Sequence, residues 1–176
     1  MKTKKIRYIE VKLHDTAQLF NSLDPAPFNT KDLDQDAEEF IVNWAQEYPR
    51  DDPICLKLHL DKPIPENEVA VINEAIHHYF AYRGELNHLE FRRLMRQGRI
   101  SLAIGLAFLG ACLAISHFIL PGNLGRGVFL RDSLTIPGWV AMWRPLEIYL
   151  YDWWPIQRMG AIYKKLSQVP VEIATN

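Results

Sequence analysis

The sequence is poor in cysteine, and its two cysteines stand in unlike surroundings. Cys55 lies in a segment of alternating apolar and polar residues, whereas Cys112 lies in a long uncharged run. This pair cannot form a disulfide framework or a cysteine-rich metal site. The sequence also lacks the glycine-rich phosphate loops, the G-x-S-x-G elbow and the H-E-x-x-H zinc motif. We therefore expect no enzymatic activity, no catalytic residue, no metal and no cofactor.

The chain also lacks a general excess of either charge, since its formal net charge is −1. Residues 1–82 carry nine basic and fifteen acidic residues, whereas residues 83–99 carry five arginines and two glutamates. Residues 100–176 carry six basic and four acidic residues. The basic excess thus lies beside the long uncharged run and does not form the broad basic face that nucleic-acid binding needs. We therefore expect no nucleic-acid partner.

No apolar stretch follows the basic N-terminus, so residues 1–13 do not have the pattern of a secretory signal peptide. We expect residues 1–82 to form a cytosolic α/β head with the order β–α–β–α, as a two-layer sandwich or half of a ferredoxin-like unit. The strands are predicted at 5–13 and 54–60. The first helix follows an N-cap at Asp34 or Asp36, and the second begins near Glu66.

The first helix of the head has an apolar stripe that should face the sheet. The stripe consists of Phe40, Ile41, Trp44 and Ala45. Two strands make a marginal sheet, so we expect a second copy of the chain or a partner to supply more strands. The second helix either continues through a basic juxtamembrane segment at 83–99 or breaks at Gly84, where glycine costs about 1 kcal/mol relative to alanine.

The main positive signal is an uncharged apolar run at 100–120. About 20 such residues cross the ~30 Å hydrocarbon layer as a helix, so we predict transmembrane helix 1 at 100–120. Four arginines precede it, and the positive-inside rule then places the head in the cytoplasm, where they also contact lipid headgroups. These arginines are Arg92, Arg93, Arg96 and Arg99.

A second segment, at 133–156, is long enough to return across the bilayer after a short turn at 121–132. It contains an intramembrane polar cluster of Arg144, Glu147 and Asp152, with Arg144 expected near the bilayer centre and paired with Glu147. The segment either spans as transmembrane helix 2 or lies in the interface plane. We favour the spanning arrangement, because the residues that mark a cytoplasmic interface then lie on the cytoplasmic side of the membrane. They are Trp153, Trp154, Arg158, Lys164 and Lys165, the last three in a C-terminal tail at 157–176.

Small residues recur at helical spacing along transmembrane helix 1. They are Ala103, Ala107, Gly110, Ala111 and Ala114. Small side chains let membrane helices approach closely, so this face is predicted to pack either against a second copy or against the chain's own second helix.

These features together predict a non-enzymatic double-pass protein of a bacterial-type inner membrane, with both termini cytoplasmic. We expect a scaffold, anchor or accessory subunit of a membrane complex, in contact with membrane lipids and with copies of itself or other membrane subunits. One alternative is a homo-oligomeric conduit for protons or ions along Arg144, Glu147 and Asp152. Another is a membrane-bound sensor whose head binds a ligand through the loop at 19–28.

Overall fold

The computed structural model describes residues 6–27, 30–49, 52–118, 133 and 136–175. The chain divides into an α/β unit, which comprises 1–87 and 158–176, and a helical unit, which comprises 88–157. Its elements are β1 (Arg7–Leu13), a 3-10 turn (Thr16–Gln18), α1 (Gln35–Glu47), β2 (Ile54–Leu60), α2 (Glu66–Phe118), α3 (Trp143–Glu147), a π-helical turn (Ile148–Asp152), α4 (Trp153–Leu166) and β3 (Val171–Thr175). Residues 136–141 are also helical.

The α/β unit is built on a parallel sheet of three strands in the order β1-β2-β3. Parallel neighbours need a crossover connection, which α1 supplies between β1 and β2. The register places Val11 beside Leu58 and Leu58 beside Ile173. These side chains belong to one hydrophobic core or pack against it, so one face of the sheet is covered by helices, as expected for a two-layer α/β unit.

The prediction of an α/β domain is confirmed, and several elements begin or end where the sequence indicated. Asp34 caps α1, and its side chain accepts a hydrogen bond from the amide of Asp36 at 3.0 Å. The second strand spans 54–60 as predicted, and α2 begins at Glu66. Of the two alternatives at Gly84, the continuous helix is the one observed, since α2 runs without a break to Phe118.

The third strand was not predicted. The chain's own C-terminus supplies β3, and Leu56 and Leu58 of β2 pair with Val171 and Ile173. The expectation that a second copy or a partner completes the sheet therefore loses its basis. The all-parallel order also differs from half of a ferredoxin-like unit.

The prediction of which residues of α1 face the sheet is partly wrong. Phe40 and Trp44 are 43% and 41% exposed, and the side chains that enter the core are Ile41, Val42 and Ala45. The helix is rotated about its axis relative to the predicted orientation. Glu38 also faces inwards, and its side chain accepts hydrogen bonds from Tyr79 and Arg83 of α2.

Candidate functional site

The three residues of the predicted polar cluster lie together in the helical unit. Arg144 Nη1 is 3.2 Å from Glu147 Oε2 and 3.2 Å from Asp152 Oδ2. The indole N–H of Trp143 donates to the other oxygen of Glu147 at 2.8 Å. One guanidinium thus lies between two carboxylates. The formal charge of the three side chains together is −1, and Arg144 is not an isolated positive charge.

The π-helical turn explains why Asp152 reaches Arg144. In a regular α-helix, residues eight positions apart point about 80° away from each other, whereas residues seven apart differ by only about 20°. The wide turn at Ile148–Asp152 inserts one extra residue and rotates Asp152 back onto the face of Arg144. Pro155 lies three positions after the end of this turn and has no amide hydrogen to donate to it. The indole N–H of Trp153 donates to the carbonyl of Tyr149 at 2.9 Å.

Close contacts at three glycines fix the register between α2 and the helical residues 136–152, which we call the facing segment. A Cβ placed on Gly98 would lie 2.9 Å from Ile148 Cγ2, and one on Gly105 would lie 3.0 Å from the carbonyl oxygen of Ala141. A Cβ on Gly138 would lie 2.8 Å from Leu109 Cδ1. From Gly98 through Gly105 to Leu109, the contacted residues of the facing segment change from Ile148 through Ala141 to Gly138. The two segments therefore pack with opposite chain directions.

This contact surface differs from the small-residue face that the sequence predicted. Gly98, Gly105 and the buried Cys112 recur every seven residues along α2, and we call these three positions the glycine seam. A repeat of seven keeps small residues on one side of a helix, and that spacing is the signal that the sequence analysis missed.

The predicted helix-packing face lies elsewhere on α2 and is open. Each of its five residues is exposed, and a Cβ on Gly110 would meet nothing within 4 Å. The five are Ala103, Ala107, Gly110, Ala111 and Ala114. Among the described residues, no other segment of the helical unit covers this face.

The register also locates the charged cluster along the apolar run. Continued from the contacts at Gly98 and Gly105, it places Arg144 level with Leu102 and Ala103. At 1.5 Å per residue, that is about 3–5 Å from the start of the run at Ile100. The position of Arg144 near the bilayer centre stays a prediction, whereas the register places the cluster near the start of the apolar run. The predicted turn at 121–132 is outside the described residues.

The residues predicted to mark the membrane interface fall into two groups. The four arginines of α2 are exposed in the helical unit, and so is Trp154, whose ring lies 5.4 Å from that of Trp153. The four are Arg92, Arg93, Arg96 and Arg99. The same register brings the two tryptophans to about the level of Arg92 and Arg93.

The other group belongs to the α/β unit and is not an extended tail. Arg158 Nη2 donates to the carbonyl of Gln46 at 3.3 Å, and Lys165 Nζ donates to that of Pro49 at 3.4 Å. Lys164 is exposed on the same helix, α4. Since α1 has no basic residue in its last turn, these side chains supply cations near its C-terminal end.

A buried polar network that the sequence analysis missed links three helices of the α/β unit. The side chain of Glu38 on α1 is 12% exposed and accepts hydrogen bonds of 2.6 Å from both Tyr79 Oη and Arg83 Nε. Arg83 lies over the ring of Tyr163 from α4, 5.6 Å from its centroid. Burial, and then the hydrogen bond to Glu38 and its negative charge, raises the pKa of Tyr79 well above its ordinary value.

The loop proposed as a ligand site is closed by its own hydrogen bonds. Asp24 accepts from the amides of Ala26 at 2.9 Å and Asp32 at 2.7 Å, and these bonds lower the pKa of its carboxyl. Leu19 and Phe20 are buried in the core. Hydrogen bonds within the loop and burial in the core therefore account for Leu19, Phe20 and Asp24.

Comparisons with protein-family models, with curated proteins and with solved structures found no match for this chain. Within the described ranges, no group of three or more histidine, cysteine, aspartate or glutamate residues could hold a metal ion. The same ranges contain one helix that is long and apolar enough to cross a membrane, at 67–117 within α2. This observation is compatible with a membrane protein.

Proposed function

We propose that this chain is a double-pass membrane protein that serves as a scaffold, anchor or accessory subunit of a membrane complex. The observation that carries the proposal is the exposure of large apolar side chains on both packed segments of the helical unit. On α2, Ile104 and Leu106 are 65% and 53% exposed, and on the facing segment Ile136, Trp139 and Val140 are 64–65% exposed. Surfaces of this kind need a partner or lipid to cover them.

The glycine seam supports a helical hairpin as the membrane-spanning element. Lipid gives no hydrophobic driving force for helix association, so spanning helices rely on close backbone approach at small residues. Gly98 and Gly105 provide such approaches to the facing segment, which runs in the opposite direction. In the proposed arrangement, the second segment returns across the bilayer.

The charges support an orientation with the α/β unit and the C-terminus in the cytoplasm. Arg96 and Arg99 precede the apolar run, and the Arg144 cluster lies near the same end. Trp153 and Trp154 lie close to that level, as interfacial aromatic residues do. By the positive-inside rule, this end of the hairpin faces the cytoplasm, here of a bacterial-type inner membrane.

The open small-residue face of α2 is the proposed contact with a second copy or another membrane subunit. It includes Ala107, Gly110 and Ala111, and the helical unit leaves it without a partner among the described residues. In contrast, the conduit hypothesis gains no support. Both carboxylates of the polar cluster are paired with Arg144, and the cluster lies at the edge of the apolar run.

Extraction in native nanodiscs, followed by mass determination of the intact particle, tests this proposal. We expect particles that contain more than one chain, either several copies or additional subunits. Ala107→Leu with Ala111→Leu should reduce the particle to a single copy, because bulky side chains prevent close approach. Leu106→Ile, on the exposed apolar surface, should not. A wild-type chain that is always extracted alone would contradict the proposal.

A further inference from the structure

The four arginines that precede the apolar run lie on the same side of α2 as its small-residue face. Successive residues of an α-helix lie about 100° apart around its axis, so these arginines fall within a sector of about 120°. The small residues from Ala103 to Ala114 fall within the same sector. Ile100 lies between the two groups and is 52% exposed. The arginines and the small residues are exposed as well, and we call the two groups together the open face.

The open face and the glycine seam lie on opposite sides of α2. Gly98 is nine positions before Ala107, and nine steps of about 100° place the two residues on opposite sides of the helix. The facing segment packs against Gly98 and Gly105. It therefore takes one side of α2, and within the described residues no segment of the helical unit covers the other.

Neither membrane topology nor helix packing alone accounts for this alignment. The positive-inside rule depends on the number of basic residues beside a span and not on the side of the helix that carries them. Close helix packing explains the small residues but gives no role to the arginines. A partner that follows the whole open face would meet both groups. It would need negative charge beside the arginines and room for close approach beside the alanines.

A second copy of the chain fits the small residues and not the arginines. Copies of one chain in the proposed membrane arrangement have the same orientation, so their α2 helices would pair in parallel. In a parallel pair of identical helices, residues on the contact face meet their own counterparts. Arg93 and Arg96 would then each lie opposite an identical arginine, and opposed like charges disfavour an interface.

We infer that the open face binds a membrane-spanning helix of a different subunit, which carries aspartate or glutamate at its cytoplasmic end. Carboxylates form strong, charge-assisted hydrogen bonds with arginine. Small residues within the partner's span would pack against Ala103, Ala107 and Gly110. This inference rests on the proposed function, and it decides between the two kinds of partner that the proposal allows.

Energy transfer between the full chain in zwitterionic vesicles and two peptides tests the inference. The first peptide is residues 88–117 of this chain and represents a second copy. The second is the same peptide with Arg93→Glu and Arg96→Glu, and it represents an acidic partner. Both peptides carry Gly98→Leu and Gly105→Leu, so neither can replace α2 against the facing segment. The donor dye is attached to the full chain at Glu90→Cys, in a background of Cys55→Ser and Cys112→Ser, and the acceptor to the peptide N-terminus.

We expect the acidic peptide to bind about tenfold more tightly than the peptide of unchanged charge, because each exposed ion pair contributes modestly. Arg93→Glu with Arg96→Glu in the full chain should reverse this preference. Ala107→Leu with Ala111→Leu in the full chain should abolish the binding of both peptides, since bulky side chains prevent close approach. Leu106→Ile is the matched control and should leave both affinities unchanged.

Three results would overturn the inference. The peptide of unchanged charge could bind as tightly as the acidic one, which would assign the open face to a second copy. Neither peptide could bind, which would leave the face to lipid. The preference could also persist in the full chain with Arg93→Glu and Arg96→Glu, which would locate the charge effect elsewhere.

A carbonate wash of the vesicles before each titration separates this inference from the proposed function. A full chain that the wash removes is not integral to the membrane, and that result contradicts the proposed function. A full chain that is retained but shows no preference for the acidic peptide contradicts only the inference about its partner.

Discussion

A Cβ placed on Gly98 would lie 2.9 Å from Ile148 Cγ2, closer than such atoms approach in proteins. Gly98→Ala and Gly105→Ala should therefore force the two segments of the helical unit apart. Overpacking of this kind costs about 1–3 kcal/mol. Gly110→Ala is the matched control, because nothing lies within 4 Å of its added Cβ. Thermal unfolding in nanodiscs measures the difference. Equal losses of stability for the Gly98, Gly105 and Gly110 variants would contradict the close packing at the glycine seam.

The two carboxylates around Arg144 should substitute for each other. Glu147→Gln or Asp152→Asn alone leaves one ion pair, so each change should cost less than about 1 kcal/mol. The double variant leaves Arg144 at the edge of the apolar run without either carboxylate, at a cost below the ~2.5 kcal/mol of an arginine at the centre of a spanning helix. Adding Arg144→Gln should then restore part of the loss. Stability measured across this series would contradict the shared pairing if the single losses simply add and the third change gives no recovery.

Glu38 should contribute more to stability than its neighbour Glu39. Glu38→Ala leaves Tyr79 and Arg83 without their acceptor, and the partial exposure of Arg83 limits the expected loss to about 1–3 kcal/mol. Glu39 is exposed on the same helix, so Glu39→Ala should change stability by less than about 0.5 kcal/mol. Chemical denaturation of both variants compares them. Similar midpoints would rule out a structural role for the Glu38 network.

The raised pKa of Tyr79 predicts a loss of stability in alkali. Above the ordinary tyrosine pKa of 10.0, the unfolded chain loses this proton while the folded chain retains it. The contribution is thus complete below pH 10 and declines as the pH rises towards the folded-state pKa. Tyr79→Phe should flatten the fall in stability above pH 10, whereas Tyr82→Phe, exposed on the same helix, should not. Denaturation midpoints from pH 8 upwards provide the test, and parallel curves for the two variants would refute it.

The C-terminal strand should be essential to the α/β unit. Ile173 pairs with Leu58 and packs against the core, whereas Glu172 is exposed on the opposite face. Ile173→Ala should cost about 1–3 kcal/mol, the lower part of the range for core truncations because the side chain is only partly buried. Glu172→Ala should be nearly neutral. A free C-terminal tail would instead tolerate both changes equally.

The sequence predicted best those elements whose signals are local. The alternation of apolar residues at 54–60 and the capping aspartate at Asp34 specify a strand and a helix start without reference to the rest of the chain. The short β3 lacked such a signal, because five residues after a helix become a strand only through pairing with β2. Its buried face is set by Leu56 and Leu58, which are more than one hundred positions away.

The parts of the candidate site that were missed depend on long-range packing. The inward turn of Glu38 follows from partners on α2, so the periodicity of α1 alone favoured Phe40 and Trp44. The choice between two small-residue faces on α2 likewise depended on the register with the facing segment. The polar cluster was predicted from residue type, but the contact with Asp152 required the π-helical turn.

Labelling of single cysteines in sealed membrane vesicles tests the double-pass proposal most directly. The background carries Cys55→Ser and Cys112→Ser, and a membrane-impermeant maleimide probes Glu90→Cys, Leu106→Cys and Gln157→Cys in turn. We expect the cysteines at 90 and 157 to react in inside-out vesicles and not in right-side-out vesicles. The cysteine at 106 should react in neither until detergent is added. Reaction of positions 90 and 157 from opposite sides, or reaction of position 106 in intact vesicles, would contradict the proposal.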